Sequence, residues 1–144
     1  MSACFDLYVL ARERSTATAE RFLTEFAPDR EVSADDYCFP QNANEPDLVL
    51  TSPTDAIRYC EAHPEESQSF YFRNRGAGAA HAMLFFTSDA GLILGLSAEE
   101  GEEQKFFDML RQHADSEVGY IDFEAPPADT VAEFKQVASE RRVS

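Results

Sequence analysis

Residues 69–96, SFYFRNRGAGAAHAMLFFTSDAGLILGL, decide the fold. Three runs rich in Phe, Ile and Leu, at 69–73, 81–87 and 92–96, have the composition of strands. The last two are joined only by Ser88-Asp89-Ala90-Gly91, a short hairpin loop. Parallel neighbours would need a crossover of a dozen or more residues, which neither connection supplies. Three consecutive strands on short loops therefore predict a mostly antiparallel sheet with helices packed on it, an α+β fold.

Working outward, Ser97 followed by Glu100 has the spacing of a capping box. It predicts a helix over 97–115 with Phe106, Phe107, Leu110 and Ala114 on one face. Residues 118–123 alternate Val118, Tyr120, Asp122 against Gly119, Ile121, Phe123, the pattern of a strand. After Pro126-Pro127 a last helix aligns Val131, Phe134 and Ala138. Upstream, Ser52-Pro53 places Ser at the N-cap and Pro at the first turn of a helix ending at His63-Pro64. Short strands are predicted at 37–39 and 48–50, either side of a turn-rich segment. Ser15 caps a helix whose stripe is Ala19, Phe22, Leu23 and Phe26, closed by Pro28. Residues 4–11, with Phe5, Leu7 and Val9 alternating against Asp6 and Tyr8, open the chain as a strand. About four helices and one sheet make a single domain spanning 1–144.

A chain of 144 residues buries roughly 68–70% of its unfolded surface, enough for a core without staples. Its 44% apolar content, with twelve Phe, is that of a folded domain. Cys4, Cys38 and Cys60 are odd in number and far apart, which suits a reducing compartment better than a disulfide framework. The N-terminus has no basic stretch ahead of an apolar one, and the longest apolar run, 79–86, is broken by His81. Both features predict a cytoplasmic protein with no membrane segment.

Charge narrows the partners. Twenty-seven acidic residues against twelve basic ones give a net charge of −15, which repels nucleic acid and anionic membranes and attracts basic proteins. Between Asp89 and Asp129 stand eleven acids and two bases, about fourfold more net charge per residue than elsewhere. Glu99, Glu100, Glu102 and Glu103 lie where the third helix is expected to begin, so they either complement its dipole or form a docking face. Asp122 and Glu124, two apart on a strand, read as an acid–base pair or as a solvated strand end. Ten of the twelve basic residues are Arg. Acidic, Lys-poor surfaces also serve solubility in salty habitats, a reading of the charge that needs no partner.

Residues 73–81, RNRGAGAAH, are the candidate small-molecule segment: Arg73, Arg75 and His81 around a Gly-rich turn suit a phosphate or carboxylate. A dinucleotide fingerprint would place Gly at His81, and a phosphate loop would follow its last Gly with Lys-Ser or Lys-Thr; neither is present. The competing reading is a plain inter-strand connection. Cys60 and His63 share a helix face but lack companion ligands for zinc. No catalytic residue, metal site or cofactor motif is predicted, and no spacing specifies an oligomeric state.

From about residue 68 onward the chain resembles small acidic bacterial immunity proteins of polymorphic-toxin systems. The likeness lies in the hairpin HAMLFFTSDAGLILGLS, the helix behind it and the closing EVGYIDFEAPPADTVAEF. It is a likeness of layout, size and acidity, and it carries over no functional residues. It implies a cytoplasmic protein that binds and neutralises a toxin. Three readings enter the structure: a non-enzymatic acidic domain that binds a basic protein, a small anionic-ligand domain or enzyme centred on Arg73, Arg75 and His81, and a self-associating structural domain.

Overall fold

The first strand, β1 (Cys4–Leu10), lies inside the sheet and not at its edge. The computed structural model describes residues 4–32, 34, 36–41, 43–75 and 79–142, which form eight strands and four helices. After β1 come α1 (Thr16–Phe26), β2 (Arg30–Val32), β3 (Tyr37–Phe39), β4 (Leu48–Leu50) and α2 (Pro53–Ala62). The chain continues through β5 (Gln68–Asn74), β6 (His81–Phe86), β7 (Leu92–Glu99), α3 (Glu103–Ala114), β8 (Gly119–Phe123) and α4 (Val131–Arg142). Six strands form one sheet in the order β2-β5-β6-β7-β1-β8, antiparallel at every pairing, and β3-β4 form a separate ribbon. The α+β architecture expected from the central hairpins is what the chain adopts.

The helix starts follow the caps. The Ser15 hydroxyl accepts the Thr18 N–H at 3.1 Å, and the Ser52 hydroxyl accepts the Asp55 N–H at 3.3 Å. Ala19, Phe22, Leu23 and Phe26 of α1 are buried as the stripe requires. With α2, Phe107 and Leu110 of α3, and the inward side chains Leu7, Val9, Phe70, Leu84 and Leu94, they fill the larger core on one face of the sheet. The opposite face has a smaller core of its own. There Tyr8, Met83, Phe85, Ile93 and Tyr120 meet Phe134 and Ala138 of α4.

Two expectations are corrected. The capping box at Ser97 does not form, because β7 runs on to Glu99 and Ser97 pairs with Asp6 of β1 on one side and His81 of β6 on the other. Two ladders of backbone hydrogen bonds outweigh one local cap. α3 begins only at Glu103, with Glu102 at the N-cap making no side-chain cap bond. The second correction is β2, a three-residue edge strand on β5 that no alternation announced.

The β6–β7 hairpin closes with the Thr87 N–H donating to the Gly91 carbonyl at 3.1 Å and the Gly91 N–H to the Thr87 hydroxyl at 2.9 Å. Ala90 sits in this loop at φ 68°, a left-handed conformation in which its Cβ is strained. Ala90→Gly is expected to raise stability by up to about 1 kcal/mol, since relief of that strain exceeds the added freedom of the unfolded chain. A urea midpoint that moves downward would contradict this.

Candidate functional site

β7 ends, β1 begins and β8 ends at the same end of the sheet, because Cys4 pairs with Glu99 and Phe5 with Phe123. That register gathers acids distant in sequence. Glu99 closes β7, and Glu100, Glu102 and Glu103 follow in the turn into α3. Asp122 lies on β8, and Glu124 just beyond it at φ 48°. Glu99, Glu100, Glu102 and Glu124 are exposed; Glu103 and Asp122 are partly buried.

Few cations offset them. Lys105 Nζ stands 3.6 Å from Glu102, and Arg141 reaches Asp122 at 3.3 Å. Glu103 turns back to accept the Gly101 N–H at 2.7 Å. Beside these carboxylates a groove of about 310 Å³ is lined by Ala79, Ala80, Ala98, Glu99, Glu102, Lys105 and Phe106. Other acids of the same segment are engaged elsewhere. Asp89 binds the start of α4, while Asp108, Asp115 and Glu117 meet Arg111 and Arg12.

The second constellation crosses the sheet on the face that carries α4. Successive pairings align Glu31, Arg73, His81, Ser97, Asp6 and Asp122, one from each of the six strands. Residues directly opposite one another in a sheet share a face. This row therefore lies one step along the strands from Tyr71, Met83, Gly95, Tyr8 and Tyr120. Arg73 and His81 are thus neighbours, as the small-molecule reading wanted. Arg75 reaches the end of the same row, ion-paired with Glu31, which stands opposite Arg73. Residues 76–78, the Gly-rich turn of that reading, lie outside the described residues.

Asp6 is the perturbed group of the row. Burial pushes its carboxyl above the ordinary value; the Ala125 N–H, donating to Oδ2 at 3.1 Å, opposes this, Asp122 and Glu124 add to it, and His81 opposes it. Sequence reading gave Asp6 and Tyr71 no role, since each is one position in a strand, and read Ser97 as a helix cap.

Function therefore rests on geometry. No protein-family profile, curated protein or solved structure matches this chain.

The remaining candidates are structural. Cys60 is fully buried, and burial pushes its thiol up to about 12, too high for a nucleophile at neutral pH. His63 stacks on Tyr59 at 3.9 Å and bonds its carbonyl through Nδ1 at 2.9 Å. His113 meets Glu25 at 2.7 Å. Among the described residues no group of three His, Cys, Asp or Glu side chains is placed to hold a metal ion, and no helix is long and apolar enough to cross a membrane.

Proposed function

We propose that this is a non-enzymatic acidic domain that binds a basic protein, acting as an inhibitor or immunity factor. The observation that carries the reading is the gathering of Glu99, Glu100, Glu102, Glu103, Asp122 and Glu124 at one end of the sheet. Acids spread evenly for solubility alone would have no reason to converge there. Carboxylates so grouped present to a partner's Lys and Arg what phosphates would present, the means by which an acidic inhibitor occupies a nucleic-acid-binding surface. The groove floored by Ala98 and Phe106 offers the apolar contact that a charged rim surrounds in stable interfaces.

The test is kinetic. A partner is first captured from the native cell and identified, then its association is followed by stopped flow across a salt series. Exposed charges steer encounter over a range of about 8 Å at 0.15 M salt. Exchange of Glu99, Glu100, Glu102 and Glu103 for Gln is therefore expected to lower the on-rate about tenfold at low salt, with a smaller change in off-rate. Folding should be nearly unchanged, because no side chain of the four caps α3 from the N-cap position. Unchanged association rates at every salt concentration would reject the docking face.

A further inference from the structure

The second core stops one strand short of β5. It takes Met83 and Phe85 from β6 and no residue from β5, so Ser69 and Tyr71 stand on sheet that α4 leaves uncovered. A groove of about 270 Å³ opens there, bounded by Ser69, Tyr71 and Phe85 of the sheet together with Gln41, Ser88 and Asp129 from the loops around it. None of those three loop residues is buried, so their polar groups are open to a ligand.

The walls of the groove are held in place by side chains of the core. The Tyr8 hydroxyl donates to the Ala125 carbonyl at 2.5 Å, and the Tyr120 hydroxyl accepts the Ala128 N–H at 3.1 Å. Two phenols thus fix the Pro126-Pro127 segment, which lines the groove, from both ends. The Gln68 side chain, buried at the start of β5, donates to the Cys38 carbonyl at 2.8 Å and steadies the ribbon strand that leads to Gln41. Arg14 does the same next to Ser88, donating to the Thr87 carbonyl at 2.6 Å. A site shaped in the free protein avoids the cost of ordering its walls on binding.

We propose that this groove binds one neutral pyranose sugar ring, stacked on Tyr71 and hydrogen-bonded through its hydroxyls by Gln41, Ser69, Ser88 and Asp129. The proposal is independent of the docking face. Phe86 beside the groove pairs with Leu92 at the start of β7, whereas Glu99 closes β7, so the two lie at opposite ends of the sheet.

Each feature of the lining removes a competing class of ligand. Among the described residues no cation lines the groove, so a phosphate or carboxylate has nothing to pair with and meets Asp129. A wholly apolar ligand would take water from hydroxyl and amide groups without replacing its hydrogen bonds. A nucleobase is held between two walls. Here Tyr71 is 46% exposed while Phe85 and Phe86 are 8% and 2% exposed, so a single ring is offered. A pyranose needs only one. Its C–H face carries slight positive charge and lies on the negative face of an aromatic ring. Its hydroxyls both donate and accept, which matches serine hydroxyls, the Gln41 amide and the Asp129 carboxylate as the strongest acceptor. Drug-sized ligands occupy about 300–1,000 Å³, so a groove just below that range suits one ring and not a chain of them.

The probes are the methyl glycosides of D-glucose, D-galactose, D-mannose and N-acetyl-D-glucosamine at millimolar concentration, with adenosine and inorganic phosphate beside them. Binding is followed by calorimetry and by amide chemical shifts of the full chain. At least one glycoside is expected to bind saturably, with shifts centred on Ser69, Tyr71, Ser88 and Ala128. Phosphate should not bind, and adenosine should bind more weakly than that glycoside. Tyr71→Ala should lower the affinity at least tenfold, whereas Tyr71→Phe, which keeps the ring, should stay within twofold of the parent. Asp129→Asn removes the charged acceptor from an exposed position and should weaken binding about threefold. The four-Gln variant at Glu99, Glu100, Glu102 and Glu103 should bind the sugar as the parent does, so failure of the docking face and failure of this site are told apart. No saturable binding of any of the four glycosides overturns the proposal, and so does tighter binding of adenosine in the groove. Sugar binding unchanged in a folded Tyr71→Ala, or in Asp129→Asn should the alanine variant not fold, overturns it equally.

Discussion

Arg14→Ala is expected to cost about 3–5 kcal/mol, a large part of the stability of a domain this size. All five N–H donors of this one guanidinium are used. Nε donates to the Cys60 carbonyl at 3.0 Å, Nη1 to Thr87 at 2.6 Å and Gly91 at 2.9 Å, and Nη2 to His63 at 3.0 Å and Glu66 at 2.7 Å. Its carbon stands 5.1 Å from the centre of the Phe86 ring. The side chain thereby ties the entry to α1, the exit from α2 and both sides of the β6–β7 hairpin into one joint. Burial pulls its pKa below the ordinary arginine value, opposed by its electrostatic interactions with Cys60, Glu65 and Asp89. Removing it leaves five carbonyls to find water in a half-buried place. Arg14→Lys should recover less than half of the loss, because three donors radiating from one nitrogen cannot reach five carbonyls arranged around a planar fork. Urea unfolding of both variants measures the cost. A lysine variant as stable as the parent would show that the charge matters and the fork does not.

Nothing in the sequence pointed to that joint. Arg12-Glu13-Arg14 reads as a charged connection between a strand and a helix. Arg14's partners are main-chain carbonyls 46 to 77 residues away, and a carbonyl is present at every position whatever the residue. What was legible was local. The Ser15 and Ser52 caps and the stripe of α1 each rest on residues a few places apart and are found as read, and the hairpin forms with one residue more in its loop, 87–91, than the four expected.

The third helix shows the limit of such rules. Ser97 and Glu100 satisfy a capping pattern in sequence, yet Ser97 has strand neighbours on both sides that only the adjacency of β1 to β7 provides. The row on the second face was hidden for the same reason. His81, Ser97 and Asp6 are 16 and 91 residues apart in sequence and become neighbours through strand order. The acids of the sheet end were half legible: four fall within five residues, but their meeting with Asp122 and Glu124 depends on β8 pairing with β1. Tyr8 and Tyr120 carried no signal of their burial. Alternation groups them with Asp6 and Asp122, and they are the floor of a second core.

That second core makes the other large prediction. Phe134→Ala is expected to remove about 3–5 kcal/mol from the docking of α4. Phe134 is fully buried, with its ring 4.8 Å from that of Tyr120, and the rest of α4 contributes chiefly Ala138 and Val137. Polar ties hold the two ends of the helix. Asp89 accepts the N–H groups of Val131 and Ala132 at 2.8 and 3.2 Å, and Arg141 donates to the Ile121 carbonyl at 2.8 Å. A twelve-residue helix is marginal on its own in water, so ends without a middle should not keep it docked. The loss is therefore expected to be local. Amides 135–141 should exchange rapidly while those of α1, packed on the other face, stay protected. The tyrosines report the same event. Burial raises the Tyr8 and Tyr120 phenols above the ordinary value, and both should titrate lower once α4 has gone. Acid should weaken the docking of the parent protein in the same place. Burial works to raise the Asp89 carboxyl, but the hydrogen bonds from Val131, Thr87 and Ala132 prevail and hold it below the ordinary value. Its contribution is thus present above the ordinary aspartate value and is lost as pH falls through the lowered one. If amides 135–141 of Phe134→Ala exchange no faster than those of the parent, the aromatic contact is not what holds α4, and the polar ties at its ends must carry the helix alone.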